Sequence, residues 1–194
     1  MTPGDLNNPI QVCVADENGV FIPLFTAWVK IKTLDRRCVF SSSGVGSRST
    51  LELVAYKLSK LGRNTPFIYD GNWYVVSGTN DIDSNFIKLT AGRVDKKSII
   101  VSSVKTTVSD KNVVTGNVEE RKTISGFLLQ KYIGITDEES HSEKTERFII
   151  MISPNAGVKS GDCVEVEGVK YSVGAKVPNT DAWNEFEIYR ESDL

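Results

Sequence analysis

Few residues in this 194-residue chain combine the type and spacing that bond-making chemistry needs. The single histidine, His141, lies in Asp137-Glu138-Glu139-Ser140-His141-Ser142-Glu143-Lys144. One imidazole excludes His-rich metal sites and Glu-x-x-His pairs. A segment this polar also offers no packing that would hold a general base rigidly, so a catalytic triad is not expected. Cys13, Cys38 and Cys163 are far apart and form no Cys-x-x-Cys pair, which removes zinc ribbons and thioredoxin-like chemistry. Each sits in a strand-like stretch such as Val12-Cys13-Val14, as free buried thiols in a reducing compartment would. The acidic run Asp137-Glu138-Glu139, continuing to Glu143 and Glu146, lacks the alternating oxygen ligands around a central glycine that a calcium loop requires. A hydrolase pair such as Asp162 and Glu165 would need its carboxylates roughly 5–9 Å apart in a cleft, and the pattern supplies no cleft. The expectation is a protein that is not an enzyme, with no catalytic residue, cofactor or metal.

Other segments suit binding better than catalysis. Ser41-Ser42-Ser43-Gly44-Val45-Gly46-Ser47-Arg48-Ser49-Thr50 carries a Gly-x-Gly whose backbone N–H groups could cradle an anion. It lacks the Gly-Lys-Ser/Thr of a P-loop and the third glycine of a dinucleotide fingerprint, so it reads as a surface loop ordered by a partner, with Arg48 as an anchor. Residues 136–147 contain nothing apolar and read as a mobile polar loop between two strands. Trp73 and Tyr74 are adjacent in a strand-like run and must point to opposite faces, so one turns away from the core of its own domain. Without basic residues interleaved, such an aromatic marks a protein interface rather than a nucleic-acid groove. The candidate interface residues are Ser43, Gly44, Gly46, Arg48, Trp73 and Trp183.

Composition sets the frame for these elements. Lys plus Arg number 23 against 25 Asp plus Glu, a net charge of −2 that gives no support to a phosphate-neutralising surface. No apolar run approaches the roughly 20 residues of a membrane-spanning helix. Met1-Thr2-Pro3-Gly4-Asp5 lacks the basic and apolar regions of a signal peptide, so a soluble protein retained in the cell that makes it is expected.

Period-two alternation dominates the chain, as in Trp28-Val29-Lys30-Ile31-Lys32 and Val164-Glu165-Val166-Glu167, and suits sheets with one buried face. Asp70-Gly71 and Glu167-Gly168 occupy the tight turns of two hairpins, 97 residues apart. Residues 51–61 fit either period and are read as strand. A helical reading of 123–129 is opposed by Gly126. Val14-Ala15-Asp16-Glu17-Asn18-Gly19-Val20 is similar to Val108-Ser109-Asp110-Lys111-Asn112-Val113-Val114, and Asn85-Phe86-Ile87-Lys88-Leu89 to Glu185-Phe186-Glu187-Ile188-Tyr189. Three similarities in one order, at nearly constant offset, indicate duplication. The fold class is mainly β: two tandem small antiparallel β-barrel or sandwich domains, 1–93 and 94–194, joined by a polar linker near residues 91–97.

Gly161-Asp162-Cys163-Val164-Glu165-Val166-Glu167-Gly168-Val169-Lys170-Tyr171-Ser172-Val173, followed by a loop and Asn184-Glu185-Phe186-Glu187-Ile188-Tyr189-Arg190, resembles the C-terminal end of tailed-bacteriophage head–tail connection proteins, the neck stopper or head-completion family. Val39-Phe40-Ser41-Ser42-Ser43-Gly44-Val45-Gly46 and Tyr69-Asp70-Gly71-Asn72-Trp73-Tyr74-Val75-Val76 are similar in the first half. Members usually carry one such domain, and this chain carries two. The resemblance implies a structural virion protein, assembled in the host cytoplasm. It would form a six- or twelve-fold ring between portal or adaptor and tail, closing the DNA channel and docking the tail. It also implies passage of double-stranded DNA without sequence-specific binding, and no membrane. By the same analogy Asp137, Glu138, Glu139, His141 and Glu143 belong to a lumen or docking loop, whose like charge would keep DNA from sticking. The alternatives are a tail-terminator or tail-tube-like ring protein, and a monomeric carbohydrate- or peptide-binding β module using Trp73 and Trp183.

Overall fold

The computed structural model describes residues 3–34, 38–39, 46–47, 49–108, 114–138, 141–177 and 183–190, with side chains described for 4–34, 49–104, 118–129, 148–176 and 183–190. Strands β1 (Asn8–Ala15), β2 (Phe21–Leu34), β5 (Thr50–Tyr56), β6 (Pro66–Tyr69), β7 (Asn72–Asp81) and β8 (Phe86–Val94) form a closed antiparallel barrel in the order β1-β2-β5-β8-β7-β6. Among the described residues the short strands β3 (Cys38–Val39) and β4 (Gly46–Ser47) pair only with each other, between β2 and β5. Strands β9 (Lys96–Val108), β10 (Val114–Glu138), β11 (His141–Ile152), β12 (Cys163–Val166), β13 (Val169–Val177) and β14 (Asn184–Arg190) close a second barrel in the order β10-β11-β14-β13-β12-β9.

Read from the first strand of each, the two barrels have one strand order. The first and second strands pair, the second pairs with the third, the third with the sixth, then fifth, fourth and back to the first. Every similarity found in the sequence falls on equivalent elements. Val14 to Val20 spans the β1–β2 turn, and the β9–β10 connection runs from Val108 to Val114. The two glycine hairpins are β6–β7 and β12–β13. Asp70 and Gly71 have φ of 48° and 69°, and Glu167 and Gly168 have 52° and 80°. Successive left-handed residues give the primed turn whose twist matches antiparallel strands, which is why glycine stands second in both.

Each barrel also turns the same corner. β2 pairs with β1 as far as Val29 and with β5 from Val29 onward. β10 pairs with β9 as far as Phe127 and with β11 from Gly126 onward. Gly126 stands 97 residues after Val29, the hairpin offset again. A Cβ on Gly126 would lie 2.6 Å from Ile99 Cδ1 and 2.7 Å from Ile152 Cγ2. The second barrel therefore fills its corner with two isoleucines where the first uses a valine.

Alternation produces the cores. Along β2, Ala27 and Val29 are buried while Trp28 and Lys30 are exposed. Val12, Val29, Leu53, Phe67 and Leu89 fill the first barrel, and Ile99, Ile150, Val164, Phe186 and Ile188 the second. Residues 50–56 are strand, as is 123–129 within β10. The expected linker is not one: only Asp95 separates β8 from β9, and Val94 is still paired with Trp73. The expected polar loop at 136–147 is not a loop either. Thr136 pairs with Glu143, Asp137 with Ser142 and Glu138 with His141, extending the β10–β11 ladder. A ladder needs only backbone donors and acceptors, so polar sequence did not prevent it.

Candidate functional site

The aromatic residues expected to meet a partner meet the other half of the same chain. Trp73 turns away from the core of its barrel, as strand alternation requires. It packs with Phe21 of the first barrel and Phe127 and Trp183 of the second. Phe21 stacks on Phe127 at 4.9 Å between centroids, and Trp183 stands edge-on to both at 5.8 and 5.7 Å. Lys96 lies over the Trp73 ring at 5.2 Å, a cation–π contact at the seam's margin. Val75, Val94, Leu129, Ile149 and Met151 complete this apolar seam. The β1–β2 turn seals it on one side: Ser125 N–H donates to Gly19 O at 3.0 Å and Asn155 Nδ2 to Asp16 O at 3.5 Å. Trp73, partly buried, and Trp183, 5% exposed, thus pack between the two halves of the chain rather than standing free on the surface.

The duplication shows why the seam is made once. The pairings Val29–Ala55 and Gly126–Ile152 are equivalent, so Phe127 and Leu129 occupy the positions of Lys30 and Lys32, and Ile149 and Met151 those of Glu52 and Val54. Likewise Trp73 and Val75 occupy the positions of Lys170 and Ser172. Each half carries the apolar version of one face and the polar version of the other. A third barrel could not add by repeating this contact, because Lys30 and Lys170 would have to be buried unpaired.

The two segments singled out by composition are also equivalent. Each connects the second and third strands of its barrel. Of the first, Gly46 lies in β4 paired with Val39, and Ser43, Gly44 and Arg48 lie outside the described residues. Of the second, Asp137 and Glu138 end β10, His141 and Glu143 begin β11, and Glu139 lies outside the described residues. Residues 141–147 of β11 pair with β10 alone among the described residues, because β14 covers β11 only from Phe148 to Ile152. At the opposite end of β10, β9 beyond Ser102 likewise pairs with β10 alone, since β12 covers it only from Ile99 to Ser102. Two-stranded ribbons thus leave the second barrel at both ends of β10, whose 25 residues span about 80 Å.

Two surface depressions contain the carboxylates weighed as a hydrolase pair, one each, beside Glu120 in the first and Glu167 in the second. Asp162 lines one of about 270 Å³ with Lys122 and Lys159, and Glu165 lines another of about 450 Å³ with Lys96 and Glu167. That pair is therefore not brought to one cleft. Asp162 accepts from Lys159 N–H at 2.8 Å, which ties it to its own turn. In the other depression Lys97 Nζ donates to Glu167 Oε1 at 2.6 Å, and this bond raises the ammonium's pKa above its usual range. Among the described residues no three His, Cys, Asp or Glu side chains are grouped as metal ligands would be. A groove of about 360 Å³ runs along the seam, lined by Cys13, Leu24, Lys60, Arg63, Ser153 and Trp183 among others. Burial pushes the Cys13 thiol up in pKa, so it is inert there rather than nucleophilic.

Trp28, one of the three tryptophans that could offer a stacking platform but not among the candidate interface residues, is 56% exposed on the outer face of β2. Alternation with buried Ala27 and Val29 was the signal that placed it there. Comparison with protein-family models, with curated proteins and with solved structures finds no match, so the reading of this surface rests on its geometry.

Proposed function

We propose that the chain is a non-enzymatic structural protein of a tailed-phage neck. In this reading it forms a ring between portal or adaptor and tail, closes the DNA channel and docks the tail, acting in the virion after assembly in the host cytoplasm. The observation that carries this reading is the pair of ribbons at the ends of β10. A two-stranded ribbon is marginal by itself in water, and its outer edges offer unpaired N–H and C=O groups. Such extensions suit a protein whose partners complete it. Two fused barrels held by an aromatic seam supply the rigid body from which ribbons can reach neighbours. The 136–147 ribbon is then a docking element, with Asp137 and Glu138 at the end of β10 and His141 and Glu143 at the start of β11.

The first support is the sequence resemblance at 161–190, whose hairpin and last strand are β12, β13 and β14. Among the described residues no helix is long and apolar enough to cross a membrane. Negative-stain microscopy of the purified chain, with gold-labelled particles beside it, tests the proposal. Closed rings and label at the head–tail junction are expected. Label on the capsid surface or tail fibre, or particles that assemble normally without the protein, would overturn it. A tail-terminator role would place the same rings at the far end of the neck or on the tube.

A further inference from the structure

Strand β1 loses one neighbour partway along its length. β2 follows it from Asn8 to Ala15, but β6 pairs with it only at Gln11 and Val12. Ahead of β6 the chain turns to β7 instead: Asn64 N–H donates to Val76 O at 2.7 Å, and Val76 N–H to Thr65 O at 3.1 Å. Pro66, which opens β6, has no N–H to offer. The edge of β1 from Cys13 to Ala15 therefore has no strand across from it among the described residues. Asp16 donates its N–H to Val20 O at 2.9 Å, so alternation turns the N–H and C=O of Ala15 away from β2, to this open edge.

The open edge lines the groove of about 360 Å³ beside the seam, together with residues 63–66. Leu24 lines it too, and is 47% exposed. The register shift between Val12 and Cys13 leaves Leu24 with no residue opposite it, between Pro23 and Phe25, and such a bulge re-aims a side chain. From the second barrel comes Trp183, whose buried Nε1 has no acceptor among the described residues. Edge-on contacts with Phe21 and Phe127 hold the ring, so it cannot swing toward water without opening the seam. Buried donors in folded proteins are ordinarily paired.

Charge selects the occupant. Lys60 and Arg63 line the groove, both are exposed, and neither has an ion partner among the described residues. No acidic side chain is in the lining. The Asp16 carboxylate, next along the chain from the open edge, is spent on its own turn, accepting Asn18 N–H at 2.9 Å and Val20 N–H at 2.8 Å. Trp183 is only 5% exposed and offers no face on which a base could stack, which favours a peptide over a nucleic acid.

We propose that this groove takes an extended acidic segment of a partner protein. The segment adds as a strand to β1 at Cys13–Ala15, about 10 Å of edge. It rests an apolar side chain on Leu24, sets carboxylates beside Lys60 and Arg63, and brings Trp183 Nε1 a carbonyl acceptor. The site goes beyond the ring reading and stands whether or not copies of the chain assemble.

Fluorescence anisotropy of the full chain tests it, with a fluorescein-labelled peptide of alternating Glu and Val about eight residues long as probe. Saturable binding is expected. Lys60→Glu/Arg63→Glu should weaken it about tenfold and transfer the preference to the same peptide with Lys in place of Glu, which a misfolded chain would not do. N-methylation of the peptide amides should weaken binding about tenfold or more, because strand addition uses the backbone. Trp183→Phe, which keeps a ring in the seam and removes the N–H, should weaken it about fivefold. Absence of binding at millimolar peptide, or binding indifferent to the charge reversal or to N-methylation, would overturn the proposal. So would a single-stranded oligonucleotide that displaces the peptide at lower concentration and is lost with Lys60→Glu/Arg63→Glu.

Discussion

Phe21 and Phe127 stack across the seam at 4.9 Å, with planes 22° apart, and join two bodies that each have a closed hydrogen-bond ladder of their own. Closure leaves no sheet edge through which the barrels could continue into one another, so the apolar seam, with the Ser125 N–H to Gly19 O bond beside it, holds them together. Phe127 is wholly buried and Phe21 nearly so. The two barrels should therefore unfold as one unit in the intact protein.

Phe127→Ala should cost about 3–5 kcal/mol, read as a lower midpoint in urea. Phe127→Lys, which installs the residue type found at the equivalent Lys30, should go further and split the single transition into two. Tryptophan fluorescence reports the seam through Trp73 and Trp183, and circular dichroism reports the strands. Coincident transitions in the Phe127→Lys chain would show that the barrels are coupled by something other than this seam.

Gly126→Val should destabilise the second barrel by about 2 kcal/mol or more, because the added carbons fall on Ile99 and Ile152. Combining it with Ile99→Ala should recover part of the loss. Val29→Gly in the first barrel, where no such crowding exists, should lose packing instead, and no neighbouring truncation should restore it. Thermal unfolding of the four chains checks the set.

The Asp83 carboxylate accepts the N–H groups of Asn85 at 2.7 Å and Phe86 at 2.8 Å, closing the β7–β8 turn. These two bonds hold its pKa below the 3.8 of an ordinary aspartate. Its contribution is therefore present above pH 3.8 and is lost as pH falls through the lower folded value. The Asn85 and Phe86 amide signals should titrate together with a midpoint under 3.8, and Asp83→Asn should remove that titration. A midpoint at or above 3.8 would refute the bonding.

Cys13 is buried with a raised thiol pKa, while Cys163 is half-buried. In a Cys38→Ser chain, a thiol reagent at pH 8 should label Cys163 first, and Cys13 only after denaturation. Equal rates in the native protein would contradict the burial.

Much of this fold was legible because its signals are local. Alternation located the strands, and a glycine after Asp70 and Glu167 marked the hairpins, since positive φ is a property of a few bonds. The duplication was legible because both copies kept these turns. What covers a face is not local. The pattern showed that Trp73 turns away from its own core, but only the fold shows that Phe127 and Trp183 receive it. Residues 136–147 were misread because strand pairing requires no apolar side chain, and their partner strand is themselves. Gly126 argued against a helix, yet its reason for being glycine lies in Ile99 and Ile152, far from it in sequence.

β10 belongs to both ribbons and to the barrel wall between them. Its backbone runs unbroken from one to the other through Gly126, where it changes neighbours, so the number of residues between the two tips is fixed by the barrel wall. The register shift between Gln130 and Tyr132 falls at the base of one ribbon and sets the direction in which that ribbon leaves.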